Sequence, residues 1–286
     1  MPSIINTNIP SLNGQRNLNS SQNALSTALQ RLSSGMRVNS AKDDAAGLAI
    51  ATRMTAQGRG MQVAIRNAND GISLSQTAEG ALGQIKDHLL RMRDLAVQSA
   101  NASNTSGDRN QLQKEFEELQ KEVGRIYQQT TFNGLKILGD QAGTLSFQVG
   151  ANSGETVDIV TQNFSGIYSG VETSAIAITG EAGTSGLSAG GASGVNNALT
   201  AIDAALDSLN TQRSIYGASQ SRFEGVIGIL QVSRENQEAA ASRIMDADYA
   251  AETAALTRAQ ILQQAGTAML AQANSIPNNV LSLLQR

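Results

Sequence analysis

Residues 82–96 read Leu-Gly-Gln-Ile-Lys-Asp-His-Leu-Leu-Arg-Met-Arg-Asp-Leu-Ala, with Leu82, Ile85, Leu89, Met92 and Ala96 at alternating steps of three and four. That spacing lines apolar side chains along one stripe of an α-helix. Working outward, the same stepping recurs at Leu25, Leu29, Leu32 and Met36, and at Leu112, Phe116, Leu119, Val123 and Ile126. It returns at Val195, Leu199, Ile202, Leu206 and Leu209, then at Tyr216, Phe223, Ile227 and Leu230, with Arg213 and Gln220 interrupting. A helix over 195–234 would be roughly 60 Å long at about 1.5 Å per residue, too long to be a compact domain by itself. Burying a Leu or Ile contributes roughly 1.5–3 kcal/mol, which outweighs the entropy of ordering only where a partner helix covers the stripe. The predicted fold is therefore mainly α: long antiparallel helices from the N- and C-terminal halves, packed as coiled-coil-like bundles.

Composition agrees. The 286 residues include four Tyr, five Phe and no Trp, so a core of this size must be built from Leu, Ile, Val and Ala. All three prolines, Pro2, Pro10 and Pro277, lie near the ends, which leaves the stretch between them free of helix stops. Glycine is crowded into the middle, from Gly139 to Gly194. Within that region Leu145, Phe147 and Val149 alternate with polar residues, Gly150 to Gly154 supplies a turn, and Val157 and Ile159 alternate again. This predicts a small β-hairpin region at the chain midpoint, with a further tight turn at Asn133-Gly134. From Ser165 to Gly194 the chain is Gly, Ser, Ala and Thr-rich and reads as an exposed loop.

The ends differ from these seams. Residues 246–273 are Ala-rich, relieved by Ile261, Leu262, Met269 and Leu270. Alanine favours helix but buries little area, so such a helix gains little from one partner and more from several copies packed round it. Both termini are expected to order only within an assembly.

Several kinds of chemistry are excluded or disfavoured. A formal net charge of -3 offers no field for nucleic acid, and the scattered rings offer no stacking platform. No run of roughly 18 apolar residues marks a membrane span. The start shows no charged-then-apolar leader of the secretory kind. His88 is the single histidine, which rules out two-histidine relays and His-based zinc sites, and it reads as a partly buried seam-edge residue. Gly186-Leu187-Ser188-Ala189-Gly190 matches a nucleophile elbow, but no histidine follows it. Asp43 and Asp44 read as complements to the dipole of a helix beginning near Ala45. Asp246, Asp248 and Glu252 lack the glycine of a calcium loop. Arg91 and Arg93 read as exposed ion pairs with nearby acids. No catalytic site, cofactor or metal is expected. From the residues alone three classes stay open: a self-assembling structural protein, a signalling helical hairpin, and an enzyme on a helical scaffold.

Two stretches carry a resemblance. Leu32-Ser33-Ser34-Gly35-Met36-Arg37-Val38-Asn39, followed by 41–50, Ala-Lys-Asp-Asp-Ala-Ala-Gly-Leu-Ala-Ile, is similar to the N-terminal signature of bacterial flagellins. Ser242–Ala250 and Arg258–Gly266 resemble the C-terminal one. The resemblance covers roughly 1–159 and 195–286, and implies a subunit that self-assembles into the flagellar filament, the helical propeller for motility. It implies inner-tube helices over 1–44 with 236–286, a rod with a β-hairpin over 45–162 with 195–235, and a short variable surface segment over 163–194. Leu25, Leu29, Leu32, Leu262 and Met269 would then serve as assembly seams. Implied partners are further copies of the chain, the flagellar type III export apparatus, a cytoplasmic chaperone at the C-terminal segment, and the filament cap and hook-junction proteins. The implied location is extracellular, reached without a cleaved signal peptide. Residues 90–101 are also similar to the flagellin stretch bound by the flagellin-sensing Toll-like receptor, with Arg91, Leu95 and Glu115 at the matching positions. Among flagellar proteins a hook-filament junction subunit is the alternative.

Overall fold

The computed structural model describes residues 7–165, Ile178 and 190–284. The chain is dominated by five helices: α1 (Ile9–Ser34), α2 (Ala45–Ser99), α3 (Ser106–Gln129), α4 (Gly190–Met245) and α5 (Tyr249–Leu284). Between α3 and α4 lie two antiparallel hairpins, β1 (Thr131–Phe132) with β2 (Leu135–Lys136), and β3 (Thr144–Gln148) with β4 (Thr156–Val160). No described helix is long and apolar enough to cross a membrane.

Local chemistry sets the helix ends. Asn8 caps α1 by accepting the Ser11 N–H at 3.2 Å, and Pro10 occupies the first turn, where a missing N–H costs nothing. At the other end Gly35 adopts φ 72° and returns its N–H to the Arg31 carbonyl at 2.8 Å. Asp44 caps α2 by accepting the Gly47 N–H at 2.8 Å. Asp43 takes a different role from the one expected: its carboxylate accepts the Ser40 hydroxyl and the Asn39 and Ser40 N–H groups, holding the preceding turn. Those bonds, the Ser40 hydroxyl first, keep its carboxyl below the usual range. Thr105 and Asp108 form a reciprocal capping box on α3.

The chain divides into two compact units, Met1–Gly58 with Glu235–Arg286, and Arg59–Arg234; α2 and α4 each contribute residues to both. In the second unit the α2 stripe of Ala68, Ser75, Ala78, Leu82, Ile85, Leu89, Met92, Ala96 and Ser99 is buried. The facing stripe of α4 is Val195, Ala198, Ile202, Ala205, Leu209, Gln212, Tyr216, Ser219 and Phe223. This differs from the expected α4 seam: Leu199 and Leu206 are only partly buried, and the small residues beside them take the central positions. A helix covered on a broad face crowds its midline, where Ala fits, and places its longer side chains on the flanks. α4 also begins at Gly190 and runs unbroken to Met245, further than the periodicity showed.

The hairpins dock on this bundle. Asn133 and Gly134 form the two-residue turn of β1–β2 with φ 50° and 81°, as Asn-Gly favours. In β4 Val157 and Ile159 are buried while the residues alternating with them are exposed. The Asn67 side-chain N–H donates to the Gln148 carbonyl at 2.9 Å, and Phe147 meets Phe223 edge-to-face with centroids 5.6 Å apart.

The Gly/Ser-rich tract and the Gly186–Ser188–Gly190 match lie outside the described residues except at their edges. Exposure does not hold for Phe164 or Ile178, which are both buried. Ile178 donates its N–H to Gln113 Oε1 at 2.9 Å and accepts the Ser99 hydroxyl at 2.6 Å. A large apolar side chain in a small-residue tract gains by reaching the nearest core, and these two do.

Candidate functional site

Two surfaces carry the residues singled out from the sequence, one in each unit. In the first unit α1 and α5 pack antiparallel. The Asn8 side-chain N–H donates to the Ala273 carbonyl at 2.9 Å, the Ser11 hydroxyl to Asn274 Oδ1 at 2.8 Å, and Arg31 pairs with Glu252 at 3.1 Å. The inward stripe alternates small residues with leucines: Ser11, Gly14, Leu18, Ser21, Leu25, Ala28 and Leu32 on α1, and Leu256, Ala259, Gln263, Gly266, Leu270 and Ala273 on α5. A Cβ on Gly14 would stand 3.3 Å from Leu270 Cδ1, and one on Gly266 3.4 Å from Leu18 Cδ1, so each glycine gives room to a leucine of the facing helix.

A second set of large apolar side chains points the other way. Leu29 is 49% exposed, Leu262 51% and Met269 67%, and Ile9, Leu12 and Ile261 are exposed with them. The five sequence-predicted seam residues thus divide. Leu25 and Leu32 are half-buried on the stripe toward α5, whereas Leu29, Leu262 and Met269 face outward. A row of such residues along a helix pair with no cover of its own is the feature that marks an interaction surface.

The junctions at the base of this unit are tied together. Arg37 donates its backbone N–H to the Met245 carbonyl at 2.6 Å, and Ala247 donates to Gly35 at 2.9 Å, with Met36 bridged to Asp246. Asp246, Asp248 and Glu252 each take a separate partner. Asp246 accepts the Ser242 hydroxyl, Asp248 caps α5 through the Ala250 N–H, and Glu252 holds Arg31.

In the second unit Arg91 Nε and Nη2 both donate to Glu115 Oε1, at 2.8 and 2.6 Å. Both side chains are about half exposed, and the pair joins α2 to α3. Arg93 pairs with Asp203 of α4 at 2.8 Å. Neither arginine uses an acid of its own helix, as the sequence had suggested. Leu95 is brought close in sequence but not to the surface: at 0% exposure it belongs to the core beneath Arg91. The apolar side chains that do reach solvent here are Leu90 and Val97, which the sequence reading passed over because they lie off the seam period. His88 is half-buried.

One groove of about 440 Å³ lies between α2 and the hairpins, walled by Leu74, Phe132, Leu135, Leu145 and Phe147, with Asp70, Asn133 and Ser146 at its rim. Asp70 is the single ionisable group among its described lining residues.

Residues 5–142 match the bacterial flagellin N-terminal helical region, and residues 199–284 match the bacterial flagellin C-terminal helical region. The chain belongs to the bacterial flagellin family. It is 45% identical over 284 residues to a flagellin of Halalkalibacterium halodurans, covering 99% of this chain and 100% of that one. A Xenorhabdus nematophila flagellin is 44% identical over 313 residues, covering 100% of both. The crystal structure of Bacillus cereus flagellin aligns with a TM-score of 0.49 at 28% identity, over 57% of this chain and 88% of that one. Membership of this family makes the chain a structural subunit of the flagellar filament, which polymerises with its own copies, and not an enzyme.

Proposed function

We propose that the outward faces of α1 and α5 are the contacts through which filament subunits pack, with 1–44 and 236–286 forming the inner tube. The rod is then 45–162 with 195–235, and 163–194 is its short variable outer segment. The observation that carries this reading is the large apolar side chains that the described chain leaves uncovered on the terminal helices: Leu29, Leu262 and Met269 stand exposed. Burying each in a neighbouring copy would contribute roughly 1.5–3 kcal/mol per side chain, the scale a repeating contact requires. The same exposed face is a liability before assembly. It therefore fits a chaperone on the C-terminal segment, delivery through the type III export apparatus without a cleaved signal peptide, and capture outside the cell between the hook-junction and cap proteins.

Amide hydrogen exchange tests the reading. Protection across 9–34 and 249–275 should rise by orders of magnitude when monomer becomes filament, because isolated helices with thin seams open readily. Protection across the α2–α4 seam should change far less. Equal protection of the terminal helices in both states would overturn the proposal.

A second reading concerns recognition of the monomer by the flagellin-sensing Toll-like receptor. Arg91 and Glu115 present a paired, half-exposed polar surface between α2 and α3, and Leu95 holds the helix beneath it. In this arrangement Arg91 and Glu115 are contacts and Leu95 is a positioning residue. Arg91→Ala should lower receptor activation by about tenfold or more, as losing an interfacial arginine often costs over about 1.4 kcal/mol. The fold should survive, since an exposed ion pair contributes little. Undiminished activation by monomeric Arg91→Ala protein would refute this reading.

A further inference from the structure

Seven methionines occur in the chain, and they differ sharply in access. Met92 is fully enclosed in the α2 seam, Met36, Met54, Met61 and Met245 are half-buried, and Met269 is 67% exposed. Met269 lies two turns from Leu262 on α5, so the two share the outward apolar face. A thioether is a soft apolar group that fits irregular contacts well. It is also the group on that face that a mild oxidant can turn polar.

We propose that Met269 is an oxidation site that controls filament growth: a hydroperoxide converts its thioether to the sulfoxide in the free subunit, and the oxidised subunit adds poorly to the filament. This rests on the reading of the outward α5 face as a subunit contact. The sulfur lone pair attacks the terminal peroxide oxygen, an S–O bond forms, and the O–O bond breaks. The sulfur loses two electrons, and the proton of the transferred hydroxyl passes to the leaving oxygen, so the peroxide is reduced to water, or to an alcohol if it is organic. A side chain that was apolar becomes a strong hydrogen-bond acceptor on a face lined by Leu262 and Ile261. Packing it there buries an acceptor with no donor opposite, a state that is disfavoured wherever water is excluded. Once packed, the same sulfur is shielded, so the free subunit is the sensitive state and the filament the protected one. Reduction of the sulfoxide restores the thioether, which makes the block reversible.

Monomer is treated with hydrogen peroxide, quenched with free methionine, and mapped by peptide mass before being added to sheared filament seeds. Oxygen should appear at Met269 ahead of the half-buried methionines and last at Met92. The critical concentration for growth should rise about tenfold or more, equivalent to about 1.4 kcal/mol per subunit, and return after treatment with methionine sulfoxide reductases. Met269→Leu chain, compared with its own untreated control, should lose this sensitivity. Intact filaments given the same dose should keep Met269 unmodified.

The inference is overturned if quantitatively oxidised Met269 leaves growth unchanged. It is equally overturned if Met269→Leu chain is as sensitive as the parent, or if the half-buried or enclosed methionines react before Met269. Failure of the underlying contact is separable: untreated Leu262→Asp chain that grows normally would sink the contact, whereas blocked Leu262→Asp with oxidation-insensitive parent sinks only the switch.

Discussion

Leu262→Asp chain should fold like the parent and fail to extend filament seeds at any concentration where the parent does. The two halves of this expectation come from one measurement, the 51% exposure of Leu262. In the free chain its outer surface touches water, so a carboxylate there replaces an exposed apolar surface with an exposed polar one. Surface substitutions of that kind usually fall within about 0.5 kcal/mol. In the filament the proposed contact sets the position against another copy. The leucine's burial, roughly 1.5–3 kcal/mol, is lost, and a carboxylate without a partner must be desolvated or protonated, which adds several kcal/mol. Taking only about 3 kcal/mol in total, the critical concentration rises at least about hundredfold, at about 1.4 kcal/mol per tenfold. Sedimentation after seeding measures it, with far-ultraviolet circular dichroism confirming that helix content is retained. Growth at the parent's critical concentration would mean that Leu262 faces water in the polymer too.

That expectation also shows which parts of the site were legible beforehand. Ile261, Leu262 and Met269 stood out in an Ala-rich stretch, so a reading of composition could single them out as the residues needing cover. What it could not tell was which side of each terminal helix faces the other. Leu25, Leu29 and Leu32 look equivalent in a three-four pattern, yet Leu29 is exposed while Ala28 beside it is buried. The inward stripe is set by how side chains of one helix seat on the other, and Gly14 and Gly266 give room there to Leu270 and Leu18. Close packing selects for small size, and a scan for large apolar residues is blind to it. The same cause explains Ala198 and Ala205 displacing Leu199 and Leu206 on α4.

Local signals fared better. The Asn133-Gly134 turn and the alternation in Val157 and Ile159 specified their hairpins through neighbours in the chain alone. Polar positions in the rod core were opaque. Gln212 had no apolar signature, but it is buried on the α4 midline with its side-chain N–H donated to the Val160 carbonyl at 2.8 Å. Beside it Tyr216 is fully buried, and burial pushes its pKa up to about 12 against a smaller lowering by the Gln212 side chain. Arg91 and Glu115 stand together among the positions matched by the family resemblance, and the structure adds what spacing could not, that one binds the other across two helices.

Phe223→Ala should be the most damaging single truncation in the rod, and a second substitution can show why. The Phe223 ring is fully buried where α2, α4 and the β3–β4 hairpin converge, edge-to-face with Phe147 at 82°. Its Cζ leaves so little room that a Cβ on Gly71 would stand 2.7 Å away. Truncation removes the ring's burial and leaves a cavity, together about 3–5 kcal/mol in cores of this kind, a large share of the roughly 5–15 kcal/mol that holds a domain folded. Urea unfolding should show the midpoint falling with little change in slope. Gly71→Ala alone should also destabilise, by about 1–3 kcal/mol from overlap with the ring, although alanine is favoured over glycine in a helix by about 1 kcal/mol. Combined with Phe223→Ala the sign must reverse: the methyl then enters vacated space, the helix preference is recovered, and the double variant is more stable than Phe223→Ala alone. Such a reversal is a coupling between two residues in contact. Additive losses would mean that the ring does not occupy the notch at Gly71, and that the hairpin is held to the bundle by something other than Phe223.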